Sequence, residues 1–161
     1  MNASIAVVAV TFFEVPAISV PIRVFVANIT GDASAKEEEH VFINPEILHR
    51  KGTDEGEEGC LSLPELYGPV KRAEEIVVDA FDLDGQQFEM TLNELPARVV
   101  QHELDHLDGV LFTDRMSDAA RRELEPRIAD FEALFRRQQN SGEIPSDDEI
   151  RRQLRELEPS A

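Results

Sequence analysis

Apolar positions recur with two different periods along this chain, and the change of period marks its elements. The first forty or so residues read as β. Ile5 to Phe13 (IAVVAVTFF) is a continuous apolar run, and Ile22 to Asn28 (IRVFVAN) is a β-branched and aromatic run of strand length. Thr30 to His40 (TGDASAKEEEH) is polar and charged, which predicts an exposed loop. Val41 to Asn44 begins another short strand, and Pro45 limits its pairing because proline has no backbone N–H. Residues 50–58 (RKGTDEGEE) read as a second polar loop. A hairpin follows: Ile76 to Leu83 is strand-like, Asp84-Gly85 is a strong turn signal, and Gln87 to Leu92 returns.

The period then becomes helical. Asn93 looks like an N-cap, with Glu94 and Pro96 in the first turn, where proline is tolerated. The helix is predicted to run to about Leu107, with Gly109 ending it. Leu95, Val99, His102 and His106 follow one another at spacings that share one inward face, so both histidines point into the protein. Further on, Ser117 can cap a short helix that Pro126 interrupts. Arg127 to Gln139 continues with Ile128, Phe131, Leu134 and Phe135 on one stripe. Asn140 to Pro145 reads as a linker. Ser146 and Glu149 form an S-x-x-E capping box before Ile150, Leu154 and Leu157, which recur at helical spacing. Two units are expected: a main domain over residues 1–139, and a linker with an amphipathic C-terminal helix, packed on the body or on a partner or left as a solvated tail, over residues 140–161.

Composition narrows the function classes. With 161 residues and 42% hydrophobic positions, the chain can bury one core. It carries 16 Lys+Arg against 33 Asp+Glu, a formal charge of −17. Such a surface repels phosphate backbones and anionic lipids, so neither DNA nor a membrane is an expected partner. No strongly basic run supports ribosome contact, although a local basic patch could provide it. The Ile5–Phe13 run is too short to span a bilayer. It also lacks the basic flank and small-residue cleavage site of a signal peptide, so a strand is expected there. The single cysteine, Cys60, cannot form an intrachain disulfide and favours a reducing, cytoplasmic setting.

The candidate chemistry lies on the central helix, in His102-Glu103-Leu104-Asp105-His106. Two histidines at i and i+4 can share one metal ion. A metal lowers the pKa of a bound water towards about 7, and a neighbouring glutamate such as Glu103 can take its proton. A catalytic site of this kind needs a third protein ligand and an open fourth position. A third histidine six residues after the second is ruled out, because Phe112 stands there. A glutamate some twenty residues downstream remains open through Glu123 or Glu125, which would make the chain a zinc peptidase. Cys60 is the other source, since a thiolate binds zinc or iron well. Cys60 lies in Glu57-Glu58-Gly59-Cys60-Leu61-Ser62-Leu63-Pro64, where Gly59 permits close backbone approach. A lone cysteine is otherwise most often a small buried hydrophobe.

Two segments, E-G-C-L-S-L-P at Glu58 to Pro64 and Q-H-E-L-D-H-L-D-G at Gln101 to Gly109, resemble two of the three signature motifs of peptide deformylases. The resemblance runs from about Val20 to about Arg115 and takes in Pro21 to Val26 and Lys71 to Ile76. It implies an α+β fold, with antiparallel β-sheets packed around a central H-E-x-D-H helix. It implies removal of the N-formyl group from the initiator methionine of nascent polypeptides. By the same resemblance, Cys60, His102 and His106 are metal ligands and Glu103 is the general acid/base. The backbone N–H of Leu61 is an oxyanion donor, and Gly59 belongs to the substrate cleft. Leu95, Arg98 and Val99 border the methionine pocket. Leu95 and Val99 have core packing as an equal alternative, and a surface salt bridge is expected of Arg72. Asp105 is expected in a structural ion pair and not as a ligand. The implied metal is Fe(II), where ligand chemistry alone suggests Zn(II).

One motif departs from the pattern. The family's G-x-G-x-A-A-x-Q should stand just before Val20-Pro21, but Thr11 to Ser19 reads TFFEVPAIS and places Ala17 where the glutamine belongs. Three readings follow: a misassigned or frameshifted start, with the true start further upstream; a degenerate metal-binding relative with little activity; or another group in the glutamine's role. The first is preferred, because the other motif positions are present.

Overall fold

A computed structural model of the chain describes residues 23–28 and 39–157. The predicted strand over Ile5–Phe13, the Ala17 position and the loop residues 30–38 lie outside them. Among the described residues six strands and four helices form an α+β fold. Strands β1 (Val24–Asn28), β2 (Glu39–Lys51), β5 (Glu75–Phe81) and β6 (Gln87–Asn93) make one antiparallel sheet in the order β1-β2-β5-β6. Strands β3 (Asp54–Cys60) and β4 (Leu63–Arg72) make a separate two-stranded sheet.

Strand β2 is longer than its sequence suggests. It begins at Glu39, inside the expected loop, and runs through Pro45 to Lys51. Pro45 is accommodated because the register with β5 shifts between Ile43 and Glu46, so no partner strand asks it for an N–H. Asn44 takes a positive φ of 49° in this bulge, and its amide donates to Arg23 O at 2.7 Å. Residues 50–58 also differ from the expected loop. They form the end of β2, a turn at Gly52 and Thr53, and most of β3. The physical reason is Glu58, whose buried carboxylate meets two arginines and so can sit on the inner face of a strand that is otherwise charged. The β5–β6 hairpin forms as predicted around Gly85, at φ 71°. Its turn is held by Asp82, whose Oδ1 accepts from the amides of Asp84 and Gln86.

Helix α1 (Glu94–Leu107) lies against the four-stranded sheet. Phe25, Phe42, Ile76, Val78, Ala80 and Leu92 from the strands enclose Ala97, Val99, Val100 and Leu104 from the helix. Asn93 precedes the helix as predicted but makes no side-chain cap bond. Gly109, at φ 71°, follows the last turn. The opposite side of α1 faces the β3–β4 hairpin. That hairpin is backed by a second cluster of Leu66, Val70, Phe112, Met116 and Leu124, supplied by β4, α2 (Phe112–Arg115), α3 (Asp118–Ser141) and the link between the two helices.

Helix α3 runs unbroken through Pro126. The proline removes one N–H from the Arg122 carbonyl, and both residues are on the exposed side, where water can replace that bond. The predicted linker is correspondingly shorter. Gly142 ends α3 in the left-handed region, with Glu143 N donating back to Gln138 O. Ser146 Oγ accepts from Glu149 N at 3.3 Å and opens α4 (Asp147–Leu157). Arg136 and Gln139 both bond Asp147, so the start of α4 is tied to the end of α3. No helix among the described residues is long and apolar enough to cross a membrane.

Candidate metal centre

Two elements meet at the site. Strand β3 ends at Cys60, where the pairing slips so that Cys60 opposes Leu63 across the short turn at Leu61 and Ser62. Helix α1 brings His102 and His106 to the same point from adjacent turns, with their rings edge to face and 4.5 Å between centroids. Cys60 Sγ lies 3.3 Å from His106 Nε2, and the two histidine Nε2 atoms lie 3.0 Å apart. The three ligating atoms all fall within 4.8 Å of one another.

A tetrahedral ion with bonds of about 2.0–2.3 Å separates its nitrogen and sulfur ligands by roughly 3.3–3.6 Å. The observed spacings are close to that, and the donor set of one thiolate and two imidazoles suits a divalent transition metal. Glu103 gives an independent sign. It is 1% exposed, and neither carboxylate oxygen has a hydrogen-bond partner. A buried carboxylate left so is costly unless something outside the chain's own atoms satisfies it. Burial pushes its pKa up, against the attraction of His102 and His106.

The three groups shift one another's protonation. Burial alone would raise the Cys60 thiol, but hydrogen bonds with His102, His106 and Ser62 outweigh it and hold the pKa at about 5. Burial would likewise lower His102, yet the bonds to Cys60 and Glu58 raise it to about 9. His106 is raised too, chiefly by Cys60. A cation bound there would therefore displace imidazole protons beside a thiolate that is already formed.

The family model described as polypeptide deformylase matches residues 10–122. The chain belongs to the polypeptide deformylase family. A peptide deformylase of Rhodopirellula baltica is 43% identical over 141 residues, which cover 88% of this chain and 70% of that protein. One of Acidobacterium capsulatum is 50% identical over 115 residues, covering 70% of this chain and 64% of its own length. The chain thus spans about two thirds of the length of these relatives. Among solved structures, Arabidopsis thaliana peptide deformylase 1B in complex with an inhibitor superposes with a TM-score of 0.67 at 36% identity, covering 83% of this chain and 72% of the other. Deformylase membership implies a divalent metal, and the Cys60, His102 and His106 cluster is where this chain offers a site for one.

The remaining residues of the deformylase reading fall in varied places. Leu61 is 84% exposed at the hairpin tip beside Cys60. Gly59 leaves room for the Tyr67 ring, which a β-carbon there would meet at 2.5 Å. Val99 is in the core between α1 and the sheet, and Leu95 packs against that core from partial burial. Arg98, expected beside the methionine pocket, is buried. Its guanidinium donates to Glu58 at 2.8 Å, to Val70 O at 2.9 Å and to Asp54 Oδ2 at 2.8 Å, because an interior cation must be paired. Arg72, expected in a surface salt bridge, is also buried and bonds both Glu58 and Asp105. Asp105 makes the expected structural ion pair, with Arg72 and with Arg115 at 2.6 Å, and stays out of the ligand cluster. Glu123 and Glu125 are exposed on α3 and are not in the cluster, which removes the geometric basis for the peptidase alternative.

Two side chains were missed from sequence. Glu58 accepts from Arg72 and Arg98 and lies 3.1 Å from His102 Nδ1. Gln101 pins α1 to the β4–β5 link by accepting from Ala73 N and donating to Ala73 O, and it also donates back to Ala97 O within the helix. A glutamate or glutamine inside a motif carries no local mark of burial, so only the folded chain reveals them.

Proposed function

We propose that this chain removes the N-formyl group from the initiator methionine of nascent polypeptides, with Cys60, His102 and His106 holding one divalent metal and Glu103 moving protons. The observation that carries the reading is the unpartnered, buried carboxylate of Glu103 on the same helix as the two histidines and beside the cluster they form with the thiolate. The metal, Fe(II) by resemblance or Zn(II) by ligand type, supplies Lewis acidity and makes a water acidic near neutral pH.

The chain's own residues do the rest. Glu103 accepts the proton of the attacking water and delivers a proton to the departing methionine amine. Burial raises its pKa, which improves it as an acid in the second half of the reaction. The Leu61 amide, at the hairpin tip beside Cys60, is suited to donate to the oxygen of the formyl group as charge develops there. Gly59 and the α1 residues Leu95 and Val99 are the candidates for the substrate wall, with Leu95 and Val99 also serving the core. Formylated chains emerge from ribosomes, and a lone cysteine suits a reducing compartment, so the reading puts the protein in the cytoplasm, where Cys60 stays a thiol or thiolate.

The test is formate release from a formyl-methionyl peptide by protein loaded anaerobically with Fe(II) or Ni(II). Turnover that disappears in Glu103→Ala supports the reading. Full metal occupancy without formate refutes it.

A further inference from the structure

Glu58 takes no part in the proposed chemistry, yet both of its carboxylate oxygens are bonded beside the site. It stands two residues before Cys60 on β3, and its side chain is 2% exposed. Its Oε1 accepts from Arg72 Nε at 3.0 Å and from Arg98 Nη1 at 2.8 Å. Its Oε2 accepts from Arg72 Nη2 at 2.9 Å and lies 3.1 Å from His102 Nδ1. A carboxylate gripped by two guanidinium groups is an acceptor only. The proton in the contact with His102 must therefore sit on Nδ1. In the neutral ring the other nitrogen, Nε2, then has the lone pair to offer, and Nε2 is the atom that faces His106 Nε2 at 3.0 Å.

We infer that Glu58 is a positioning residue that fixes the Nδ1–H tautomer and the ring orientation of His102, with Arg72 and Arg98 holding Glu58 in place. The inference rests on the reading of Cys60, His102 and His106 as metal ligands. Turning the imidazole over would present a carbon to Glu58 and forfeit the bond. The two arginines also occupy the carboxylate so fully that it cannot swing round and become a ligand itself. Each arginine is anchored in turn. Arg98 donates to Val70 O and Asp54, and Arg72 bonds Asp105, which Arg115 holds from its other side. The tautomer of one ligand is thus set by a chain of charges running from the surface at Arg115 and Asp54 inward. Loss of a ligand's outer hydrogen-bond partner typically costs about 10–100-fold in metal affinity.

The first test needs no variant. In Zn(II)-loaded wild-type protein with 15N-labelled histidine, long-range 1H–15N NMR should show His102 protonated at Nδ1 and bound to metal through Nε2. Zinc bound with the opposite tautomer overturns this inference alone, whereas no zinc bound overturns the reading beneath it as well. The second test is Glu58→Gln, checked for folding by circular dichroism. A fall in Zn(II) affinity of about 10–100-fold, with a shifted visible band in the Co(II)-substituted protein, supports the role. A folded variant with unchanged affinity and an unchanged His102 tautomer refutes it.

Discussion

The Arg98 guanidinium lies directly against Gly56: a β-carbon on that glycine would come within 2.9 Å of Arg98 Cζ and 3.0 Å of its Nη2. The glycine is there to let a buried cation reach Glu58, Val70 O and Asp54 at once. Gly56→Ala should therefore destabilise the fold by about 1–3 kcal/mol, the range for forcing an extra methyl into a packed interior. Urea unfolding measures it. An unchanged midpoint would mean that Arg98 yields freely and that its bonds are not needed where they are.

Removal of the thiolate separates two ways of completing the metal site. Cys60→Ala should lose more affinity than the roughly 10–100-fold that an outer partner commands. Glu123→Ala and Glu125→Ala should keep the metal, because both side chains are exposed on α3 and outside the cluster. Equilibrium dialysis with Zn(II), followed by metal analysis per chain, decides between them. Retention of zinc by Cys60→Ala would overturn the cluster as the binding site.

Helix α1 and the β5–β6 hairpin were readable in advance because their signals are local. Glycine past the helix end, histidines at helical spacing and the Asp84-Gly85 turn each act within a few residues. Residues 50–58 misled because their charges read as solvated, while what makes them a strand is long-range. Glu58 is satisfied by Arg72 on the paired strand and by Arg98 on a helix that arrives later in the chain. The same blindness turned Arg72 into an expected surface residue. Pro126 misled in the opposite direction: a proline signal is local, but an exposed long helix can absorb one missing bond. Cys60, His102 and His106 could be proposed as a set through the two motifs, but the residues that hold them could not.

Metal binding should release protons near neutral pH. In the metal-free chain the Cys60 pKa is held at about 5, so at pH 7 the thiol has already ionised. His102 is raised to about 9 and His106 is raised as well, so the protons to be displaced are on the imidazoles. A group with a raised pKa competes with the cation for its lone pair until pH passes that pKa. Affinity for Zn(II) should hence rise with pH from 6 towards about 9, as His102 loses its proton. Titration calorimetry in buffers of different ionisation enthalpy reads the released protons directly. Proton release that came from Cys60 would instead vanish above about pH 5, where affinity would become independent of pH.

Glu103→Gln is the sharpest test of the catalytic assignment. The amide has nearly the same shape but cannot carry a proton back and forth, so formate release should fall about 10²–10⁴-fold while metal stays bound. The wild-type pH profile supplies a second readout. As the base, Glu103 must be ionised, and burial raises its pKa above the usual carboxylate value of 4.5. The acidic limb of kcat/KM should accordingly lie at higher pH than for an exposed glutamate, and it should disappear from the residual activity of Glu103→Gln. If the variant kept both its rate and that limb, the proton would be moving through some other group, and the unpartnered carboxylate at the heart of the site would need a different explanation.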